Sequence, residues 1–355
     1  MSKGNLYQAN RAKKDEFYTQ LPDIEKELRN YTTQFRNKII YCNCDDPVWS
    51  NFFIYFLMYF NKLGLKKLIA THYEYEGASS YKLEVENITK DWTSLLKCIK
   101  LVQELFEKDD PEVFEKAADL LKTAGISLTP LSGDGDFRSE ESIELLKKSD
   151  IVVTNPPFSL FREYVAQLVD HNKSFLIIGH QNAITYKEIF ELIQKNEVWL
   201  GYGNNMSLVY KTPYPNTLEM NRKFVIGKGY DPSDGYVKVP AINWYTNLDT
   251  TKRHEKMILY KRYSPEEYPK YYNYNAIEVS QVKNIPMDYP GEMGVPITFL
   301  DKYNPDQFEI IGKGVQLGKT IRFKGDKATL WIEKDGKPWK APFERIVIKN
   351  KEVKS

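Results

Sequence analysis

The stretch Asp150-Ile151-Val152-Val153-Thr154-Asn155-Pro156-Pro157-Phe158-Ser159 decides how this chain is read. An apolar run of strand character meets Asn-Pro-Pro-Phe. Leu160, Phe161, Tyr164, Val165, Leu168 and Val169 then recur at helical spacing. Two prolines in a row continue neither a strand ladder nor a helix interior. They mark a stiff loop at the carboxyl end of a strand, where open α/β folds place their chemistry. The loop offers an amide side chain at Asn155, a fixed carbonyl at Pro156 and an aromatic ring at Phe158. That set suits a planar exocyclic amine and the ring that bears it. The competing reading is a proline-stiffened turn with Phe158 as core filler.

Outward from this stretch, strand and helix signals alternate. Lys38-Ile39-Ile40-Tyr41, Lys67 to Thr71, Ile151 to Val153 and Ser174 to Ile178 are predicted strands. Trp49 to Phe60, closed by Gly64, and a segment opened by Ser139-Glu140-Glu141 and running to Lys148 are predicted helices. Such alternation predicts an α/β fold with a doubly wound, mostly parallel sheet. A helical pair interrupts the rhythm. One member spans Trp92 to Glu107; the other has Asp110 as N-cap and Pro111 at its first position, and ends near Gly125. This pair reads as an insertion over about 84–125. Past Gly201 the pattern becomes short strand-like runs such as Lys223-Phe224-Val225-Ile226, separated by Pro, Gly, Asn and Asp. Tyr268, Tyr271, Tyr272 and Tyr274 cluster there, as a loop pinned by partly buried rings or as a stacking surface for bases. The chain therefore divides into 1–203 and a smaller, irregular, β-rich region over 204–355.

Composition narrows the classes. The 355 residues suffice for one large domain or two ordinary ones. Aromatics reach 14%, which favours stacking surfaces as well as packing. The net charge is only +2, so the chain is no strongly basic nucleic-acid coat. From Ile311 to Ser355, however, 12 Lys and Arg stand against 5 Asp and Glu, an excess that either tracks phosphates or is a solvated lysine-rich face. Cys42, Cys44 and Cys98 form no CxxC pair, so neither a disulfide scaffold nor a zinc site is expected. His72, His171, His180 and His254 show no ligand spacing, and no metal is expected. The start has no apolar stretch, and the longest apolar run, Phe52 to Phe60, is too short for a bilayer. A cytoplasmic protein without membrane contact is the expectation.

Three further loops lie at predicted strand ends. Tyr41-Cys42-Asn43-Cys44-Asp45-Asp46-Pro47 lacks the glycines that admit a pyrophosphate. It offers acid instead, which suits a ligand amine. S-adenosylmethionine fits, having an α-amino group, a sulfonium and no phosphate. Plain N-capping of the following helix by Asp45 or Asp46 is the alternative. After the second strand, His72-Tyr73-Glu74 places Glu74 as a candidate for a ribose hydroxyl, with Glu76 close by; an ordinary exposed glutamate would look the same. In Gly133-Asp134-Gly135-Asp136-Phe137, Asp136 could accept from an adenine amino group and Phe137 could stack on its ring. A Gly-Asp turn with Phe137 in the core is equally consistent.

These residues carry a resemblance. Asp15-Glu16-Phe17-Tyr18-Thr19-Gln20, the Tyr41 to Pro47 loop, Ser50-Asn51-Phe52-Phe53, Leu63 to Ala70, Gly133 to Arg138, the Asn155 loop, Phe175 to Ile178, Ile184 to Glu188 and Met293 to Leu300 are similar to segments of the EcoRI family of adenine-specific DNA methyltransferases. The chain departs from the pattern in the 84–125 pair and over about 204–239. The resemblance implies a Rossmann-like S-adenosylmethionine-dependent fold, S-adenosylmethionine as donor, and N6 of adenine in double-stranded DNA as acceptor. It implies that Phe17, Tyr18 and Thr19 help form the cofactor pocket near the methionine moiety. Cys44, Asp45, Asp46 and Pro47 stand where related enzymes have a glycine-rich loop. Asn155, Pro156, Pro157 and Phe158 match the catalytic motif position by position, and 204–355 would carry target recognition. A cognate restriction endonuclease sharing the site is a further implied partner. Cytosine N4, an RNA base or a protein amide are competing acceptors, and a catalytically silent DNA-binding module is the competing class.

Overall fold

The structure, a computed structural model, describes residues 18–44, 46–71, 80–107, 112–212, 218–318, 329–334, 337–340 and 343–353. Phe17, Asp45, His72, Glu74, Glu76 and the expected N-cap Asp110 with Pro111 lie outside the described residues. By its internal contacts the chain forms two units, Met1–Ile189 with Leu200–Leu248, and Phe190–Trp199 with Asp249–Ser355.

In chain order the elements of the first unit are β1 (Tyr18–Thr19), α1 (Leu21–Leu28), β2 (Ile39–Cys42), α2 (Asn51–Leu63), β3 (Lys67–Thr71), β4 (Tyr81–Val85), α3 (Trp92–Phe106), α4 (Val113–Lys122), β5 (Ile126–Pro130), α5 (Glu140–Lys148), β6 (Ile151–Thr154), α6 (Phe161–Asp170) and β7 (Ser174–His180). After α7 (Lys187–Gln194) come β8 (Trp199–Leu200), β9 (Met206–Lys211), α8 (Glu219–Gly227) and β10 (Tyr236–Thr246). One sheet runs β1-β9-β10-β7-β6-β2-β3-β4-β5, with β8 also paired to β10. Its centre, β7-β6-β2-β3, is parallel. The strands on both flanks are antiparallel.

The predicted strands and helices of the centre stand within a few residues of their expected places. Every residue of β6 is buried, as a parallel strand covered on both faces requires. Helix α2 packs Phe52, Phe53, Phe56 and Phe60 into the core, and much of the aromatic content goes to packing. It ends at Gly64, whose φ of 63° is the left-handed conformation glycine takes without steric cost. Helices α3 and α4 join the antiparallel pair β4 and β5, so the expected insertion is a helical hairpin between two flank strands.

Two expectations differ. Lys223-Phe224-Val225-Ile226 is helical, part of α8; a run of three apolar residues does not distinguish strand from helix. Strands β9 and β10, beyond residue 203, complete the first unit's sheet.

The second unit holds β11 (Ala276–Glu278), β12 (Glu292–Pro296), β13 (Phe308–Lys313), β14 (Trp331–Lys334), β15 (Lys337–Lys340) and β16 (Arg345–Asn350). A four-stranded sheet runs β11-β12-β16-β13, beside the two-stranded β14-β15. The tyrosine cluster is pinned through its hydroxyls. Tyr268 donates to the Asn284 carbonyl at 2.8 Å, Tyr274 to Glu292 Oε2 at 2.6 Å and Tyr272 to Glu333 Oε2 at 2.9 Å, while Tyr271 donates to Glu278. Among the described residues no helix is long and apolar enough to cross a membrane.

His254 sits between two carboxylates of this unit, Nε2 at 2.8 Å from Asp249 Oδ1 and Nδ1 at 3.1 Å from Asp306 Oδ2. Both hydrogen bonds favour the imidazolium and hold its pKa above the ordinary value. A raised folded-state pKa means that the stabilisation is full below the unfolded value of about 6.5 and fades as pH rises through the folded value. Histidine proton resonances followed by NMR should give His254 a midpoint above 6.5, falling toward it in an Asp249→Asn/Asp306→Asn variant. A wild-type midpoint at or below 6.5 would remove the pairing.

Candidate active site

Strand β6 ends at Thr154, and Asn155 follows at 7% exposure, with Pro156 buried and Pro157 and Phe158 half-buried. Pro157 is extended, with φ −55° and ψ 123°. Its carbonyl accepts from the Leu160 N–H at 3.0 Å, closing a single 3₁₀ turn before α6. Phe158 packs one side against the core. The exit of the loop is held by a contact the sequence reading missed. A Cβ at Gly179 of β7 would stand 2.5 Å from the Phe161 ring and 2.9 Å from Tyr245, so only glycine lets Phe161 lie on that strand.

The loop after β2 is tied to the Asn155 loop through Asn43. Its backbone carbonyl accepts from Thr154 Oγ1, and its side-chain Oδ1 accepts from the Tyr164 hydroxyl of α6. Cys44 is half-buried and left-handed, with φ 80°. The bend that glycine usually supplies is therefore made here by a residue with a Cβ, at a conformational cost. Cys44→Val, β-branched, should lower stability by about 1–3 kcal/mol, whereas Cys44→Gly should not lower it. Thermal unfolding of the two variants tests this, and a Gly variant less stable than the Val variant would refute the left-handed bend.

Asp46 shapes the turn that follows. Its Oδ1 accepts from the Val48 N–H at 2.8 Å and the Tyr81 hydroxyl at 2.7 Å, and its carbonyl accepts from Trp49 and Ser50. The helix consequently starts at Asn51, two residues past the expected Trp49, capped by Ser50, which accepts from the Phe52 N–H at 3.3 Å. Asp46 is thus a turn residue as well as an acid, and buried Pro47 shapes the same turn. The first residue of that helix reaches the amino-terminal segment: Asn51 Nδ2 donates to the Thr19 carbonyl at 2.7 Å. Tyr18 and Thr19 form the short β1, paired with Lys211 and Tyr210 of β9. Thr19 is 1% exposed, and its hydroxyl oxygen has no hydrogen-bond partner among the described residues. A buried unsatisfied hydroxyl beside the acidic loop is the kind of atom a bound polar ligand would satisfy. That fits a methionine moiety with its amino and carboxylate groups.

The Gly133 to Phe137 loop differs in part from expectation. The Arg138 guanidinium grips Asp136 as a fork, Nε to Oδ1 at 2.9 Å and a terminal nitrogen to Oδ2 at 2.7 Å. This holds the carboxyl pKa below its usual range. Oδ1 also accepts from the Arg138 backbone N–H at 2.8 Å, so Oδ2 is the oxygen with a lone pair left for a ligand amine. Phe137 is 6% exposed, with its ring edge-on to Tyr164 at 5.0 Å and the Arg138 guanidinium 5.2 Å from its centre. Both are contacts of packing, and they leave little of the ring exposed for stacking on adenine. Tyr164 is the residue that sequence reasoning missed. Fully buried on α6, it touches Phe137 and holds Asn43, joining three of the four candidate loops. Its signal was present only as one apolar position in a helical stripe. Among the described residues there is no cluster of three His, Cys, Asp or Glu that could hold a metal ion.

Residues 5–351 match the family model described as adenine-specific methyltransferase EcoRI. The chain belongs to this family. It is 43% identical to the type II methyltransferase M.EcoRI of Escherichia coli, over 98% of this chain and 97% of that protein. It is 39% identical to M.MpnI of Mycoplasma pneumoniae, over 85% of this chain and 83% of that one. M.MgeORF184P of Mycoplasma genitalium is 38% identical, over 85% and 84%. Family membership makes the chain a methyltransferase, and it accounts for an Asn-Pro-Pro-Phe loop at a parallel strand end beside an acidic loop.

Proposed function

We propose that this protein is a site-specific DNA methyltransferase that methylates N6 of an adenine turned out of the duplex. The observation that carries the reading is the linkage of Asn155 through Thr154 and Asn43 to the acidic loop, with Thr19 tied to the start of α2. S-adenosylmethionine, when bound, supplies an electrophilic methyl group on a sulfonium. Thr19, Tyr18 and the Cys44–Pro47 loop would hold its methionine end, and Asp136 its adenine amino group. An aromatic amine is a weak nucleophile because its lone pair is delocalised into the ring. Asn155 Oδ1 and the Pro156 carbonyl would accept from its two N–H bonds and draw the nitrogen toward tetrahedral geometry. The same dipoles stabilise the positive charge that develops there. Phe158 would stack on the extruded base, which no duplex geometry exposes otherwise.

The first unit carries cofactor and catalysis in this reading, and the second contributes to target recognition. A cognate endonuclease sharing the target would make the modification protective, with no direct contact needed. The enzyme would act in the cytoplasm of a bacterial or phage-infected cell. The test is incubation of adenine-unmodified bacterial DNA with the protein and S-adenosylmethionine, followed by single-molecule sequencing. N6-methyladenine at one short motif is expected. No modified base, from a preparation that binds S-adenosylmethionine in calorimetry, would move the acceptor away from DNA.

A further inference from the structure

Strand β10 is longer than its neighbour. Ile242 pairs with His180, the last residue of β7, so Tyr236 to Ala241 run past the carboxyl edge of the parallel strands. Over Tyr236 to Val239 the partner is β9, in register Tyr236 with Lys211 through Val239 with Leu208. A bulge follows, with Ala241 at φ 59°. The pair thus forms an arm projecting roughly 20 Å beyond the end of β7, at about 3.3 Å per residue. Helix α8 connects its two strands.

The surface of that helix is unusual. Of its nine residues only Val225 is buried. Leu218, immediately before it, is 58% exposed, Met220 83% and Ile226 60%. Cations share the arm: Lys211, Arg222 and Lys228 are exposed, and Lys238 lies 4.8 Å from the half-buried Phe224 ring. Glu219 is paired with Lys223, Asp231 accepts from the Ser233 N–H and lies near Arg222, and Asp234 is exposed; Asp23 of α1 lies within reach of the Lys228 charge. Cations beside exposed apolar side chains fit a duplex, whose phosphates take the cations and whose disturbed stack takes the apolar groups.

Resting on the DNA reading above, we infer that the β9–α8–β10 arm grips duplex DNA on the catalytic side, Lys211, Lys228 and Lys238 holding phosphates and Leu218 and Met220 pressing into the stack beside the extruded adenine. The probe is a fluorescent fragment of unmodified bacterial DNA, with affinity measured across a salt series and methyl transfer in single turnover. Lys211→Gln/Lys228→Gln/Lys238→Gln should bind at least tenfold more weakly, with a salt slope shallower by about 2–3. Leu218→Ser/Met220→Ser should keep its affinity within about twofold and transfer methyl groups about tenfold or more slowly. Calorimetric binding of S-adenosylmethionine shows that each variant is folded. Wild-type affinity and slope in the lysine variant overturn the grip, and a wild-type rate in the apolar variant overturns the insertion. A wild-type protein that methylates no DNA at all refutes the function instead.

Discussion

Asn155→Ala should slow methyl transfer by about 10²–10³-fold or more while leaving S-adenosylmethionine binding within about twofold. Asn155 sits at 7% exposure between a fully buried strand and two prolines, so its amide is aimed by the backbone and not by a flexible chain. A preorganised acceptor acts most in the transition state, where the amine nitrogen becomes tetrahedral and positive. Its loss therefore lowers the rate constant more than it weakens binding. Asn155→Asp keeps an acceptor oxygen and should retain more activity than the alanine variant. Phe158→Ala should lose less, about tenfold, because stacking is worth ~1–3 kcal/mol per base and extrusion survives poorer stacking. Single-turnover kinetics with enzyme in excess separate these cases. Near-normal turnover in Asn155→Ala would remove the role assigned to it, and equal losses at Asn155 and Phe158 would mean that the ring does more than stack.

The second large effect concerns stability. Glu278 of β11 and Arg345 of β16 are 4% and 6% exposed. The guanidinium Nε lies 3.1 and 3.0 Å from the two carboxylate oxygens and a terminal nitrogen 2.5 Å from Oε1, while the Tyr271 hydroxyl donates to the same carboxylate. Neither charge reaches water, so each depends on the other. Arg345→Met would strand a buried carboxylate and Glu278→Leu a buried guanidinium, each costing about 3–5 kcal/mol. The double variant leaves no uncompensated charge and should be closer to wild type than the sum of the singles. Urea unfolding followed by tryptophan fluorescence, with Trp331 and Trp339 reporting on this unit, measures it. Singles within about 1 kcal/mol of wild type would mean that water reaches the pair.

Much of this protein is legible from the chain alone. The centre of the sheet was readable because parallel strands buried on both faces are continuous apolar runs, and Ile151 to Thr154 is one. The Asn155 loop was readable because proline chemistry is local: two missing N–H groups and two fixed φ angles need no tertiary context. Strand β4 could have been found from the alternation in Tyr81-Lys82-Leu83-Glu84-Val85, which the structure buries in the same rhythm.

Other features depend on residues far apart in sequence. Thr19 joins Asn51 across 32 positions, and Asn43 joins Tyr164 across 121, so no local pattern announces either link. Phe137 looked like a stacking ring, and its burial against Tyr164 was settled by what α6 brings to it. Lys223 to Ile226 had the composition of a strand and became helix because packing on one face, at Val225, outweighs weak local preference. The sequence by itself determined the strand-end chemistry and the class of sheet, since these follow from side-chain types at fixed short spacing. Tertiary structure alone decided which loops meet, which aromatics are spent on the core, and that the β9 and β10 arm rises past the catalytic edge, because those depend on pairing register between strands that the chain order does not encode.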